Sequence, residues 1–254
     1  MRSSGLRSDE LKYGVVDQYG AKKELLKDLL LFTGSKDGKL TSLAEYAARM
    51  PEGQEYIYYV CAESAGQAAK LPQVERIAEK GYEILVLTAE EDEFVVQALA
   101  EEEGKKLKSV ADPDALPESA EEKTAQEQKA EEEKPVLDFV KETLGERVYA
   151  VRLSRILRSA PVCMTAEGPM SLEMEKYFSR VEAGGIPGGV KAQRVLELNA
   201  QAPAYGALKA AFDGGDREKA GRYARLLYAQ AELLAGLPLE DPAEYTQLVC
   251  SLMQ

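Results

Sequence analysis

A chain of 254 residues has room for about two domains, and a formal charge of −12 argues against nucleic acid or an anionic membrane as its main partner. The absence of histidine removes the usual general base, the usual zinc ligand and the middle member of a serine or cysteine triad. Cys61, Cys163 and Cys250 lie too far apart for a zinc knuckle or a disulfide framework, no apolar run approaches the ~20 residues of a membrane helix, and MRSSGLRSDE lacks the apolar core of a signal peptide, so a protein of the reducing cytoplasm is expected.

Residues 1–12 read as an open end. From Ala21 the run KKELLKDLLLFTG predicts a helix with Leu25, Leu26, Leu29 and Leu30 inward and Gly34 as its C-cap. Thr41 or Ser42 caps a short helix ending near Met50, and Tyr56-Ile57-Tyr58-Tyr59-Val60 has the aromatic and β-branched content of a strand. A helix over 64–80, a strand at Glu83-Ile84-Leu85-Val86-Leu87, a helix from Glu91 to Glu102 and a strand from Lys105 to Val110 complete the first half. The alternation predicts a small parallel sheet with right-handed crossovers.

Between Leu116 and Val136 no apolar side chain larger than alanine occurs, and ESAEEKTAQEQKAEEEK reads as a linker or a solvated helix. Beyond it, Val136–Leu144 is predicted helical, Arg147–Leu153 and Pro161–Thr165 extended, Met170–Val181 helical, Arg194–Leu198 extended and Pro203–Phe212 helical, with GGIPGG (184–189) as a flexible loop. The fold class is therefore α+β: a small α/β domain with a parallel sheet (1–115), a charged linker (116–134) and an α+β domain ending in a helical bundle (135–254).

The last stretch is where a partner is most needed. Ala220, Tyr223, Leu227, Ala231 and Leu234 recur at helical spacing, and Leu226, Leu233 and Leu237 widen that face. Gly236 and Pro238 stop the helix, and Asp241-Pro242-Ala243-Glu244 starts a second one carrying Tyr245, Leu248, Val249 and Leu252. Such a pair either meets an identical pair in a homodimeric four-helix bundle or packs on its own domain, and periodicity leaves both open.

Four clusters are candidates for chemistry. Glu63-Ser64-Ala65-Gly66 follows a strand where a sheet can cradle phosphate, but without a complete glycine pattern, so plain helix capping competes with a nucleotide site. Arg152, Arg155 and Arg158 offer either an acidic-partner site or a solvated rim. Glu90, Glu91, Asp92 and Glu93 suit a helix N-terminus at least as well as an acid/base or metal site. Met170, Met174, Tyr177 and Phe178 share one helical face, which serves either a core or an adaptable binding surface.

Five segments in order, LLLFTGSKDGKLTSLAEYAARM with IYYV, EDEFVVQALAEEEGKKLKSV, VRLSRILRSAPVCMTAEGPMSLEMEKYF, VLELNA and LLYAQAELLAGLPLEDPAEY, resemble the heat-shock protein 90 chaperone family from about Lys12 to Met253. The resemblance implies the smaller part of that family's middle domain for Lys12 to about Val110, its C-terminal dimerisation domain for Pro135–Gln254, and a bacterial type because SLMQ lacks an acidic MEEVD tail. It implies no enzyme and no catalytic or metal-binding residue here, no cofactor in this fragment, and ATP and magnesium in a part of the family with no counterpart in this chain. Client contacts carry over to Glu93, Phe94 and Gln97, with Phe94 standing where bacterial members often have tryptophan, and to Met170, Met174, Tyr177 and Phe178. Dimerisation carries over to Leu227, Ala231, Leu234, Tyr245, Leu248, Val249 and Leu252. The expected partners are a second copy and unfolded or partly folded proteins, with no nucleic acid and no membrane. The alternative is an α/β enzyme or binding protein for a small ligand or nucleotide with a helical dimer module.

Overall fold

The computed structural model of the chain describes residues 11–12, 14–15, 23–89, 91–181 and 191–253. It divides into two units, Met1–Ala115 and Leu116–Gln254.

In the first unit, α1 (Lys23–Leu26) and a 3-10 turn over Lys27–Leu29 run into β1 (Phe32–Gly34) and β2 (Leu40–Thr41). The predicted continuous helix ends early because Leu30 takes extended backbone. From there the side chains alternate with period two, so Leu30 and Phe32 are buried while Leu31 is exposed. Leu25 and Leu29, expected inward, are exposed, and Gly34 is a strand residue rather than a cap. Ser42 and Glu45 form a capping box for α2 (Leu43–Ala48).

β3 (Ile57–Cys61) leads to α3 (Ala65–Ala68) and, after a 3-10 turn at Pro72–Val74, α4 (Glu75–Glu79). The single helix predicted over 64–80 is broken by Pro72, which holds Leu71 extended. β4 (Ile84–Leu87) and α5 (Asp92–Leu99) precede β5 (Glu101–Glu102) and β6 (Lys105–Ser109). The α5 helix stops before Glu102 because Ala100 has φ 63°, and Gly104, at φ 73°, turns β5 back onto β6. The sheet order is β2-β1-β4-β3-β6-β5. Its central strands β4, β3 and β6 are parallel, as the alternation predicts, whereas β1, β2 and β5 add antiparallel edges too short to read from sequence.

The second unit opens with α6 (Ala120–Leu144), capped reciprocally by Ser119 and Glu122. Its acidic first half is mostly exposed and its second half buries Val136, Leu137, Val140 and Leu144. Of the two readings expected for this segment, a linker or a solvated helix, the helix is the one found, continuous through Pro135. Then come β7 (Ala150–Leu153), β8 (Val162–Glu167), α7 (Leu172–Val181), β9 (Gln193–Leu198), α8 (Pro203–Asp213), α9 (Arg217–Leu234) and α10 (Pro242–Ser251). β9 is central in the order β7-β9-β8, parallel to β7 and antiparallel to β8. α6, α8 and α9 close over this sheet around Val140, Met164, Leu196, Leu208, Leu227 and Tyr228. The expected loop at Gly184–Gly189 lies outside the described residues.

Candidate functional site

α7 starts where the Ser171 hydroxyl accepts the Met174 amide at 3.1 Å. Of the four residues predicted for one apolar face, Met174 turns inward and is 8% exposed. Tyr177 and Phe178 are half-buried, their rings edge to face with centroids 5.6 Å apart. Met170, also half-buried, precedes the helix instead of lying on it. The predicted face is therefore split between a core side and an accessible side.

The attachment of α7 is polar and was not foreseen. Glu175, 4% exposed, receives the Arg194 guanidinium at 2.6 Å and the Ala192 amide at 3.1 Å. The same guanidinium reaches the Tyr228 hydroxyl and the Glu232 carboxylate, each at 3.3 Å, and stands 4.0 Å from Glu240. The next residue of the helix, Lys176, donates to the Ala235 carbonyl at 3.1 Å and pairs with Glu173. Burial pushes the Glu232 carboxyl up, against the opposing effects of Tyr228 and Arg194. No local pattern announces this cluster, because its members are brought together from α7, β9, α9 and the loop before α10.

On α5 the predicted contacts separate. Glu93 is buried and accepts the Cys61 thiol at 3.0 Å, the Gln97 amide at 3.2 Å and, more weakly, the Tyr59 hydroxyl at 3.5 Å. It faces the interior, which corrects its expected role as a surface contact. Phe94 is half-buried and Gln97 exposed. Asp92 pairs with Lys12 at 2.6 Å and accepts the Thr88 and Ala89 amides at 3.0 Å, so the acidic start of this helix is structural.

The expected dimer residues also divide. Leu227 and Ala231 are 3% and 0% exposed within the unit's own core, a correction with a simple cause: α9 packs on α8, β8 and α6, and its wide stripe is consumed there. Leu234 and Leu252 remain exposed, as do Leu233 and Met253. Tyr245 and Val249 are half-buried and Leu248 is buried. Between α9 and α10 lies a hollow of about 220 Å³ lined by Tyr223, Leu226, Leu248 and Leu252, with Lys219 and Arg222 beside them. Arg225 bonds Glu244 at 2.9 Å and fixes the two helices together. Within the arginine cluster, Arg152 pairs with Glu167 and Arg155 with Glu118.

Among the described residues no group of His, Cys, Asp or Glu is placed to hold a metal ion. Ser64 simply caps the four-residue α3, with no run of glycine amides beside it. The residues around Ser64 do not fit a magnesium nucleotide. No helix among the described residues is long and apolar enough to cross a membrane.

A family model described as Hsp90 protein matches residues 7–254. The chaperone protein HtpG of Clostridium perfringens is 44% identical over 245 residues, covering 96% of this chain and 38% of that protein. Those of Bacillus velezensis and Bacillus subtilis are 44% and 42% identical over 244 residues, with the same coverage. The chain thus spans 38% of the length of these relatives, and the matches do not bear out a placement in the family's C-terminal half alone. They also correct two expectations. The exclusion of enzymatic activity and the exclusion of ATP and magnesium both rested on that placement. The family match runs through residues 7–254 without setting a nucleotide-free part aside, so neither exclusion stands. From residue 7 to residue 254, this chain belongs to the Hsp90 family of chaperones.

Proposed function

We propose that the chain supplies two working surfaces of an ATP-dependent chaperone: a client-binding face on α7 and a self-association surface on the α9–α10 pair. The observation that carries the first is the split character of α7. Its Tyr177–Phe178 edge is half-exposed on a helix whose anchors are largely polar. An aromatic pair of this kind buries a large area against an extended apolar segment at little conformational cost, and Met170 beside it adapts to different side chains. Phe94 and Gln97 on α5 are a second contact area, without Glu93. Self-association through Leu233, Leu234, Leu252 and Met253 supports the same reading, because a two-fold pair doubles the client faces and lets weak contacts act together through effective concentration. Family membership favours this reading over a small-ligand enzyme of another family.

The test is Tyr177→Ala combined with Phe178→Ala, measured by suppression of aggregation of a partly unfolded client. Loss of protection with a melting temperature lowered by no more than about 4 °C is expected, since half-exposed rings contribute less than core ones. Full protection by the double variant would overturn the reading. Met174 is not a suitable probe, because its burial makes truncation a core defect.

A further inference from the structure

We propose that Arg194 is a clasp for α7, a positioning residue that holds the helix on its unit and sets how far its Tyr177–Phe178 edge can lift toward a client; this rests on the reading of α7 as the client-binding helix.

α7 is held by apolar and polar contacts together: half-buried Leu172 packs against the core of the unit and Met174 is buried. Within Leu172–Val181, Met174 and Glu175 are the buried side chains among those described. A ten-residue helix is marginal by itself, so its polar attachments contribute to its hold alongside these packed side chains. Those attachments come from two separate places. Arg194 and the Ala192 amide hold Glu175 from the β9 end of the sheet, and the Ala235 carbonyl at the end of α9 holds Lys176. Arg194 is the hub, since its guanidinium also meets Glu232 and Tyr228 of α9.

The charge count gives the clasp its character. Two buried carboxylates, Glu175 on α7 and Glu232 on α9, face one guanidinium, with Glu240 4.0 Å from it. With Arg194 in place, the two helices are drawn to a common positive centre. Without it, two desolvated acids remain, and the relief available is for α7 to swing its carboxylate out to water. The planar fork matters as well as the charge: Nη2 and Nε address Glu175 while Nη1 addresses Tyr228 and Glu232, a division that a lysine ammonium cannot reproduce. α9 and β9 do not depend on the clasp in the same way, because both lie in the apolar core of the unit. Opening is therefore expected to be confined to α7.

The experiment is hydrogen exchange read by mass spectrometry on the whole chain, for Arg194→Met, Arg194→Lys and Glu175→Gln. Peptides over 172–181 should exchange more than about tenfold faster in Arg194→Met while α9 and β9 peptides keep their protection, and Arg194→Lys should restore part of the difference. If Arg194→Met does not fold, Glu175→Gln decides, since it releases α7 yet leaves Arg194 paired with Glu232. A rise spread evenly over α7, β9 and α9, or no rise in α7, overturns the clasp. Client protection is assayed in parallel. An α7 that loosens with no change in client binding refutes the client role and leaves the clasp standing. An unchanged α7 together with loss of protection in the Tyr177/Phe178 variant does the reverse.

Discussion

The Tyr205 hydroxyl donates to the Glu133 carboxylate across 2.8 Å and so ties α8 to α6 just ahead of Pro135. Lys209 reaches the same carboxylate oxygen at 3.1 Å. Pro135 removes one amide from the helix ladder at this point, and these two side chains brace the chain there from outside.

Burial works to raise the Glu133 carboxyl, but Tyr205 and Lys209 outweigh it and hold the group below the usual carboxylate range. A depressed folded value means that the stabilisation is fully present above the unfolded value and is lost as pH falls through the folded one. Tyr205→Phe should lower stability by about 1 kcal/mol at neutral pH. Urea denaturation should show that gap closing in acid. A gap that persists after Glu133 is protonated would assign the effect to packing of the ring.

Self-association is expected to follow exposure rather than helical spacing. Leu234→Glu with Leu252→Glu should convert a dimer to a monomer in sedimentation at micromolar concentration with little change in monomer melting, because both side chains are partly exposed and neither belongs to the core. Leu227→Ala should instead cost about 2 to 5 kcal/mol of folding stability, as a core truncation does. A dimer that survives the double glutamate change places the interface elsewhere.

Glu197 is 1% exposed on β9, with Ser154 donating to it at 2.7 Å and Thr165 at 3.2 Å. Burial raises its carboxyl despite these hydroxyls and despite Arg152 and Arg155. A raised folded value reverses the sign found at Glu133: the folded state holds the proton more tightly, so stability declines as pH rises from the unfolded value through the folded one. Glu197→Gln should therefore melt higher than the parent at neutral pH and equal it in acid. Calorimetry across that range checks it, and a parent that is favoured at neutral pH would show the ionised form to be fully compensated.

The parts of the fold legible in sequence are those where one element satisfies its own pattern. IYYV and ILVL are unbroken apolar runs and became the buried β3 and β4, and the choice of Thr41 or Ser42 as a helix start resolved to Ser42. Leu25 and Leu29 misled because the run LLLF continues a helical stripe by composition while its backbone has already turned extended at Leu30. Leu227 and Ala231 misled differently. Their face is as apolar as expected, but spacing cannot say whether a sheet of the same chain or a second chain will cover it. Arg194 left no trace at all, since a single arginine in a strand gains its meaning only when Glu175, Tyr228 and Glu232 arrive from other elements.

The central position of β9 also has a price in time. Among the described residues β7 and β8 do not pair with each other; each bonds only to β9, which is made last of the three. On a ribosome adding roughly 5 to 20 residues per second, both outer strands must wait seconds with unpaired backbone edges while the stretch between Glu167 and Gln193 is synthesised. A member of a chaperone family thus passes, during its own birth, through the kind of half-made sheet that other proteins need protecting from.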